Sequence, residues 1–268
     1  MTVRNEQADP AGRDEEPQAW ERALARTAGP GAVWAVGDAD GVRAAGSDQE
    51  AALDVDGLAA VLAVWPVIGD LVARGDLALH TPLSAYGPLG VAPVASRDPA
   101  FQGTGAPDGI TAHHLLTRPG GVPLLTRLAE HLCGGPLAEY APARIWRPLG
   151  MTRTRLTGLG LHTTGADLAR FLRHLLSAAD HPVPRTWTAE SLRIRTGELV
   201  PARGLLWRPA PSGVWSHGDG PAVWVSPRLP RWAVLVPAAP AAPGGPPPTA
   251  FRETAFAARR PPAAGPLP

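Results

Sequence analysis

The chain has 268 residues, 44% hydrophobic and 18% charged, enough for one large domain or two small ones at about 100–200 residues each. Its 25 basic and 24 acidic residues leave a formal charge of +1. They are mixed along the chain, without the one-signed stripe that a nucleic-acid groove needs, which excludes nucleic acid as a partner.

Every basic residue is arginine, because the sequence contains no lysine. A phosphate-binding loop lysine, a Schiff-base lysine and a lysine general base are therefore all excluded. The excess of Arg, Ala, Gly and Pro fits a GC-rich coding sequence. A lone cysteine, Cys133, has no internal disulfide partner and no ligand spacing around it, so it reads as a small packed residue. Met1 to Thr27 carries Glu6, Asp9, Asp14, Glu15 and Glu16 without an apolar run, and no stretch approaches the roughly 18 apolar residues of a membrane span. A cytoplasmic protein with no membrane contact is expected.

In chain order, residues 1–28 read as a polar arm with one short amphipathic helix around Trp20 and Leu24. Ala32 to Val36 and Val42 to Ala45 flank Asp40-Gly41, a hairpin signal. Leu58 to Ala73 is an apolar stretch that predicts a buried helix, with Pro66 as a kink or boundary and Gly75 as its stop. Residues from about 77 to 200 form a mainly helical insertion. Its helices are opened by Thr111, run over Leu124–Leu132 and Pro136–Trp146, and recur behind a Thr164 cap with Asp167 three residues on. Leu205–Trp207, Gly213–His217, Ala222–Ser226 and Trp232–Val236 then read as strands of an antiparallel meander. Residues 237–268 form a Pro/Ala-rich tail expected to be disordered, with a short helix possible from Thr249. The fold class is α+β, with an antiparallel sheet built from both chain ends around the helical insertion.

Five segments, in this order, resemble the beta-lactamase-related serine hydrolases, the family of class C beta-lactamases, DD-peptidases and related esterases. Leu71 to Leu83 is similar to the family's "L-V-x-x-G-K-L-x-L-D-D-P-V", and Ile110 to Thr117 to its "I-T-x-R-H-L-L-T". Gly134 to Met151 is similar to "G-x-P-L … I-x-x-P-L-G-M", and Gly160 to Phe171 to "G-L-x-S-T-A-x-D-L-A-R-F". Trp215-Ser-His-Gly-Asp-Gly220 resembles the strand motif "G-H-G-G". The resemblance implies a shortened beta-lactamase/transpeptidase-like fold over residues 29–236 and, in an intact member, acyl transfer through a serine.

The family's Ser-x-x-Lys places a nucleophilic hydroxyl and, one turn later, the lysine that deprotonates it. A gap-free count back from Gly75 puts these positions at Leu58 and Val61, neither of which can do that chemistry. No serine lies between Ser47 and Ser84 to rescue another register. The proton-shuttling tyrosine motif should follow Thr117, yet Arg118-Pro119 stands there, and Tyr86 and Tyr140 fall elsewhere. Only His217-Gly218-Asp219 survives of the third motif. The expected remnant groove is thus His217, Gly218, Asp219, Leu58, Val61 and Thr117, with His217 on a sheet-edge strand facing Leu58. Free N–H groups at the helix start there could hold an anion.

Other candidates are weaker. Ser216 beside His217 suggests a substitute dyad, but neighbours on a strand point to opposite faces. Adjacent His113 and His114 cannot share a metal, and Glu130, His131 and Cys133 are too close in sequence for one helix face. Seven tryptophans on the predicted elements read as core, and Arg153, Arg155, Arg193 and Arg195 as solvated faces. The sequence therefore predicts a catalytically degenerate binding or scaffold protein without metal or cofactor, its partner an unspecified small molecule or protein. The rival is a weak esterase or amidase rearranged around His217, Asp219 and Ser216.

Overall fold

A computed structural model describes residues 12–89, 109–158, 160–196, 201–239 and 249–257. Nine strands and eight α-helices are seen among them. The main sheet joins β1 (Val33–Asp38), β2 (Val42–Gly46), β6 (Arg208–Ala210), β7 (Val214–His217), β8 (Ala222–Ser226) and β9 (Arg231–Val236), in the order β2-β1-β9-β8-β7-β6. The chain ends meet where β1 runs antiparallel to β9, Val33 opposite Val236. The hairpin predicted around Asp40-Gly41 thus shares one sheet with the C-terminal meander.

The inner strands read as unbroken apolar runs because both faces are covered. Val33, Ala35, Trp215, Val223, Val225, Trp232 and Val234 face the helical half, while Trp34, Val36, Val214, Trp224, Ala233 and Leu235 face the other way. That second face is closed by α1 (Gly12–Ala28) and α8 (Thr249–Phe256). Leu24 and Phe251 are fully buried there, and the Trp20 indole donates to the Thr254 carbonyl at 3.0 Å. The short helices expected around Trp20 and from Thr249 are thus both present, and both pack on the sheet. An apolar sheet face carrying Trp34 and Trp224 needs a cover, and both termini return to provide it. Residues 1–11 and 258–268 lie outside the described residues.

Against the other face stands the buried helical segment. A 3-10 turn, Asp56–Leu58, leads into a π-helical stretch, Ala60–Val64, and then α2 (Trp65–Arg74), stopped by Gly75 at φ 81°. Pro66 marks a boundary, as predicted, and not a break. Its missing N–H leaves the Leu62 carbonyl free of its helical donor, and the Trp146 indole supplies one at 2.8 Å. The helical half continues with α3 (Ala112–Thr117), α4 (Val122–Cys133), α5 (Leu137–Ala141), α6 (Gly165–Leu176) and α7 (Arg185–Ser191). Thr164 caps α6 by accepting from the Asp167 N–H at 3.2 Å, and Thr111 shares a capping box with His114 on α3.

Two features depart from the expected pattern. A second, three-stranded sheet, in the order β3-β5-β4, joins β3 (Leu53–Asp54), β4 (Arg155–Thr157) and β5 (Gly160–Thr163). Leu205–Trp207 forms no strand; the meander's first strand begins at Arg208. Among the described residues no helix is long and apolar enough to cross a membrane.

Candidate functional site

Leu58 closes the 3-10 turn and Val61 lies in the π-helical stretch, and both are wholly buried. The Leu58 N–H donates to the Val55 carbonyl at 2.7 Å, and the Asp56 N–H to Asp54 Oδ1 at 3.1 Å. The expected anion cradle at the helix start is therefore absent at these two groups, because the turn satisfies its own donors. The Leu58 side chain reaches the third motif: a Cβ at Gly218 would stand 2.8 Å from Leu58 Cδ2 and would collide with the Pro221 carbonyl. Gly218, at φ 95°, is required both by its backbone conformation and by this approach. The structure thus brings Leu58 and Gly218 together.

His217 ends β7 on the face shared with Trp215, toward the helices. The strand is second from the edge and not the edge itself, because β6 pairs along it from Arg208↔Ser216 to Ala210↔Val214. Beyond that register the Leu206 carbonyl accepts from His217 Nδ1 at 2.7 Å. A carbonyl only accepts, so Nδ1 carries the proton in this contact. Packing around the imidazole holds its pKa below the ordinary value, and Arg208 and Arg203 push the same way, against the Leu206 hydrogen bond and Asp219. His217 is accordingly a neutral ring oriented by backbone.

The Leu206 peptide also reaches the helical half, its N–H donating to the Leu116 carbonyl at 2.8 Å. Leu205 N–H donates to the Ser191 carbonyl at 3.1 Å. One stretch of main chain therefore bridges the strand that bears His217 and the end of α3. It does so through a leucine at φ 65°, a conformation that costs a residue with a Cβ about 1–2 kcal/mol. Gly204 opens this turn, its N–H donating to the Trp207 carbonyl at 2.8 Å, but the apolar run that follows it read as a strand. Thr117 lies next to this bridge, but its hydroxyl donates back to the His113 carbonyl at 2.9 Å and is buried. Asp219 is exposed and takes Arg208 Nη2 at 2.6 Å, the same nitrogen that donates to the Gly218 carbonyl at 2.7 Å.

The substitute dyad does not form. Ser216 Oγ donates to the Arg208 carbonyl at 3.2 Å, and strand alternation sets it on the face opposite His217. The two tyrosines are far from a shuttle's place: Tyr86 bonds the Ala78 backbone, and Tyr140 donates to Asp70 Oδ2 at 2.7 Å. Burial and the bond to Asp70 push Tyr140 up to about 12, and burial pushes Cys133 up to about 11, so neither ionises near neutrality. Glu130 accepts from the Leu137 N–H, and His131 meets the Tyr86 carbonyl. Among the described residues no group of three or more His, Cys, Asp or Glu could hold a metal. Arg193 and Arg195 are not free solvated charges; both pair with Glu190.

No protein-family model and no curated protein matches the chain. Solved structures do. A beta-lactamase from Mycobacterium bovis is 21% identical, with a TM-score of 0.62, over 80% of this chain and 89% of that one. The hydrolase EstCE1, described as having promiscuous acyltransferase activity, is 11% identical with a TM-score of 0.70 over 91% and 99%. Simvastatin synthase from Aspergillus terreus is 15% identical with a TM-score of 0.63 over 93% and 97%. At these identities the likeness establishes the fold: a mixed helical and antiparallel-sheet architecture of the beta-lactamase type.

Proposed function

We propose that this chain carries the beta-lactamase-like fold as a catalytically degenerate serine hydrolase homologue and acts as a binding or scaffold protein. One observation carries the reading. At the positions that the family's motif spacing assigns to nucleophile and base stand Leu58 and Val61, both wholly buried and packed into the main core. Among the described residues His217 makes no hydrogen bond to a hydroxyl or thiol, its Nδ1 being spent on the Leu206 carbonyl. Loss of nucleophile and base together forfeits about a million-fold in turnover, leaving about 10³–10⁴ over water.

The test is direct labelling. The purified chain is expected to remain unlabelled by a fluorophosphonate and by a fluorescent penicillin, and to leave a chromogenic cephalosporin and a short-chain nitrophenyl ester intact. Stoichiometric labelling that Ser216→Ala removes would establish the rearranged hydrolase instead. Labelling removed by mutating another serine would show that the nucleophile lies outside the Leu58 register.

A further inference from the structure

On the outer side of α2, beyond the Leu58–His217 region, a cavity of about 270 Å³ opens between that helix, the loop after it, α3 and α7. Its position near Gly69 and Val72 is about 16 Å along the helix from Leu58 at roughly 1.5 Å per residue. Val72, Leu79 and the buried Trp187 form an apolar wall, and His80, His113 and Arg195 a polar one. The His80 and His113 rings lie nearly face to face, 4.8 Å between centroids and tilted by 32°.

The charge around these rings is one-sided. Glu190 also lines the cavity, but its carboxylate is shared by Arg195 and by Arg193, the latter at 3.0 Å. Two guanidinium groups on one carboxylate leave a surplus positive charge beside two imidazoles. Next to His113 stands a third imidazole, that of His114, whose Nδ1 accepts from the Thr111 N–H at 3.2 Å. Burial holds His113 below its ordinary value, with His80, His114 and Arg195 acting the same way; no carboxylate is among the groups that act on it. A pocket of cationic and protonatable donors with an apolar back is matched by an anion that has an apolar body.

We propose that this cavity is a binding site for a small organic carboxylate of about benzoate size, its ring on Trp187 and Leu79 and its carboxylate at the His80–His113–Arg195 edge. A dry cavity of about 150 Å³ suffices for benzene, so about 270 Å³ accepts a six-membered ring with its carboxylate. The bound anion favours the imidazolium form of His113. Binding therefore takes up protons and tightens as pH falls through the histidine range. The site does not depend on the degenerate reading of the Leu58–His217 region.

The experiment is calorimetric titration of the full chain with sodium benzoate, at about pH 5.5 and about pH 8, with histidine ring proton shifts followed by NMR. The expected result is saturable binding that is at least about fivefold tighter at the lower pH, with net proton uptake and shifts at His80 and His113. Cyclohexylamine, a cation of like size, is expected not to bind. Ala73 lines the cavity from an exposed helical position, so Ala73→Leu fills it without touching a charge and is expected to abolish binding while thermal unfolding stays unchanged. His113→Gln is expected to weaken the pH dependence. Failure of benzoate to bind at the lower pH, equal binding of the amine, affinity independent of pH, or undiminished binding by Ala73→Leu would each overturn the proposal.

Discussion

Reinstating the hydrolytic pair by Leu58→Ser and Val61→Lys is expected to cost the protein its fold before it restores any chemistry. Leu58 is wholly buried against Gly218, and emptying such a site costs about 2–5 kcal/mol. A hydroxyl left without a partner adds about 1–3 kcal/mol, so the single variant should lose about 5 kcal/mol. Val61 is equally buried among apolar neighbours, and a lysine there would have its pKa depressed by about 3–5 units. At about 1.36 kcal/mol per unit this is a further 4–7 kcal/mol. The two together approach the whole stability of an ordinary domain, about 5–15 kcal/mol. Urea unfolding followed by tryptophan fluorescence reads the effect. With a slope of roughly 2.5 kcal/mol per molar, Leu58→Ser should lower the midpoint by about 2 M, and the double variant should be largely unfolded in buffer. A Leu58→Ser protein that loses less than about 1 kcal/mol, or a folded double variant that reacts with a fluorophosphonate, would refute the reasoning. Either result would mean that the helix start is a hydrated polar slot and not core.

Three further outcomes are expected. Trp207 and Trp146 are both buried, but the Trp207 indole N–H has no partner among the described residues while that of Trp146 serves the Leu62 carbonyl freed by Pro66. In urea titrations Trp207→Phe should therefore cost less than about 1 kcal/mol and Trp146→Phe about 2–4, the difference being the carbonyl left unpaired. Phe251→Ala, or truncation before α8, should cost about 3–5 kcal/mol and raise dye binding to exposed apolar surface, because Phe251 packs on Trp34 and Trp224. The pKa values of His113, His174 and His217 are all held below the ordinary histidine value, chiefly by burial. The unfolded chain then binds protons first, so stability is fully present above about pH 6.5 and falls as the pH drops through the histidine range, by at most about 1.4 kcal/mol per pH unit per histidine. His174→Gln, followed by urea midpoints from pH 7.5 to 5, should flatten that fall; an unchanged slope would remove His174 from the account.

The parts of the fold that were legible in the sequence are those in which one element states its own period and its own stop. Leu58 to Ala73 followed by Gly75, Asp40-Gly41 between two apolar runs, and Thr164 three residues before Asp167 each combine a pattern with a local terminator, and each is found in place. The small sheet was not legible, because its strands of two to four residues are too short to show alternation. Leu205–Trp207 failed for a different reason. Its apolar run is real, but its conformation is set by hydrogen bonds to Leu116, Ser191 and His217, and the positive φ falls on Leu206 and not on the preceding Gly204. The closing of the outer sheet face by α8 is equally non-local, since a Pro/Ala-rich tract hides two phenylalanines, Phe251 and Phe256, whose importance comes from the sheet face beneath them. For the candidate site, motif order placed Leu58 beside Gly218, but nothing in sequence joins His80 to His113 or ties His217 to a backbone carbonyl.

The bridge through Leu206 also bears on how far this chain stands from hydrolytic chemistry. A polar nucleophile and base in a dry helix start are a standing cost that an active enzyme carries for function. Here those positions contribute to the core, as Leu58 and Val61 do with full burial. Strain nevertheless persists nearby, at the positive φ of Leu206. Such strain survives only where surrounding contacts over-determine it. The contacts are its N–H to the Leu116 carbonyl and its carbonyl to the His217 ring, which clamp α3 to β7. The end of α3 and the strand are thus coupled through one peptide. On the degenerate reading, acyl transfer here would need the bridge to open as well as two side chains to change, because an imidazole committed at Nδ1 to backbone has only Nε2 to offer, and the neighbouring Ser216 hydroxyl is bonded to the Arg208 carbonyl instead.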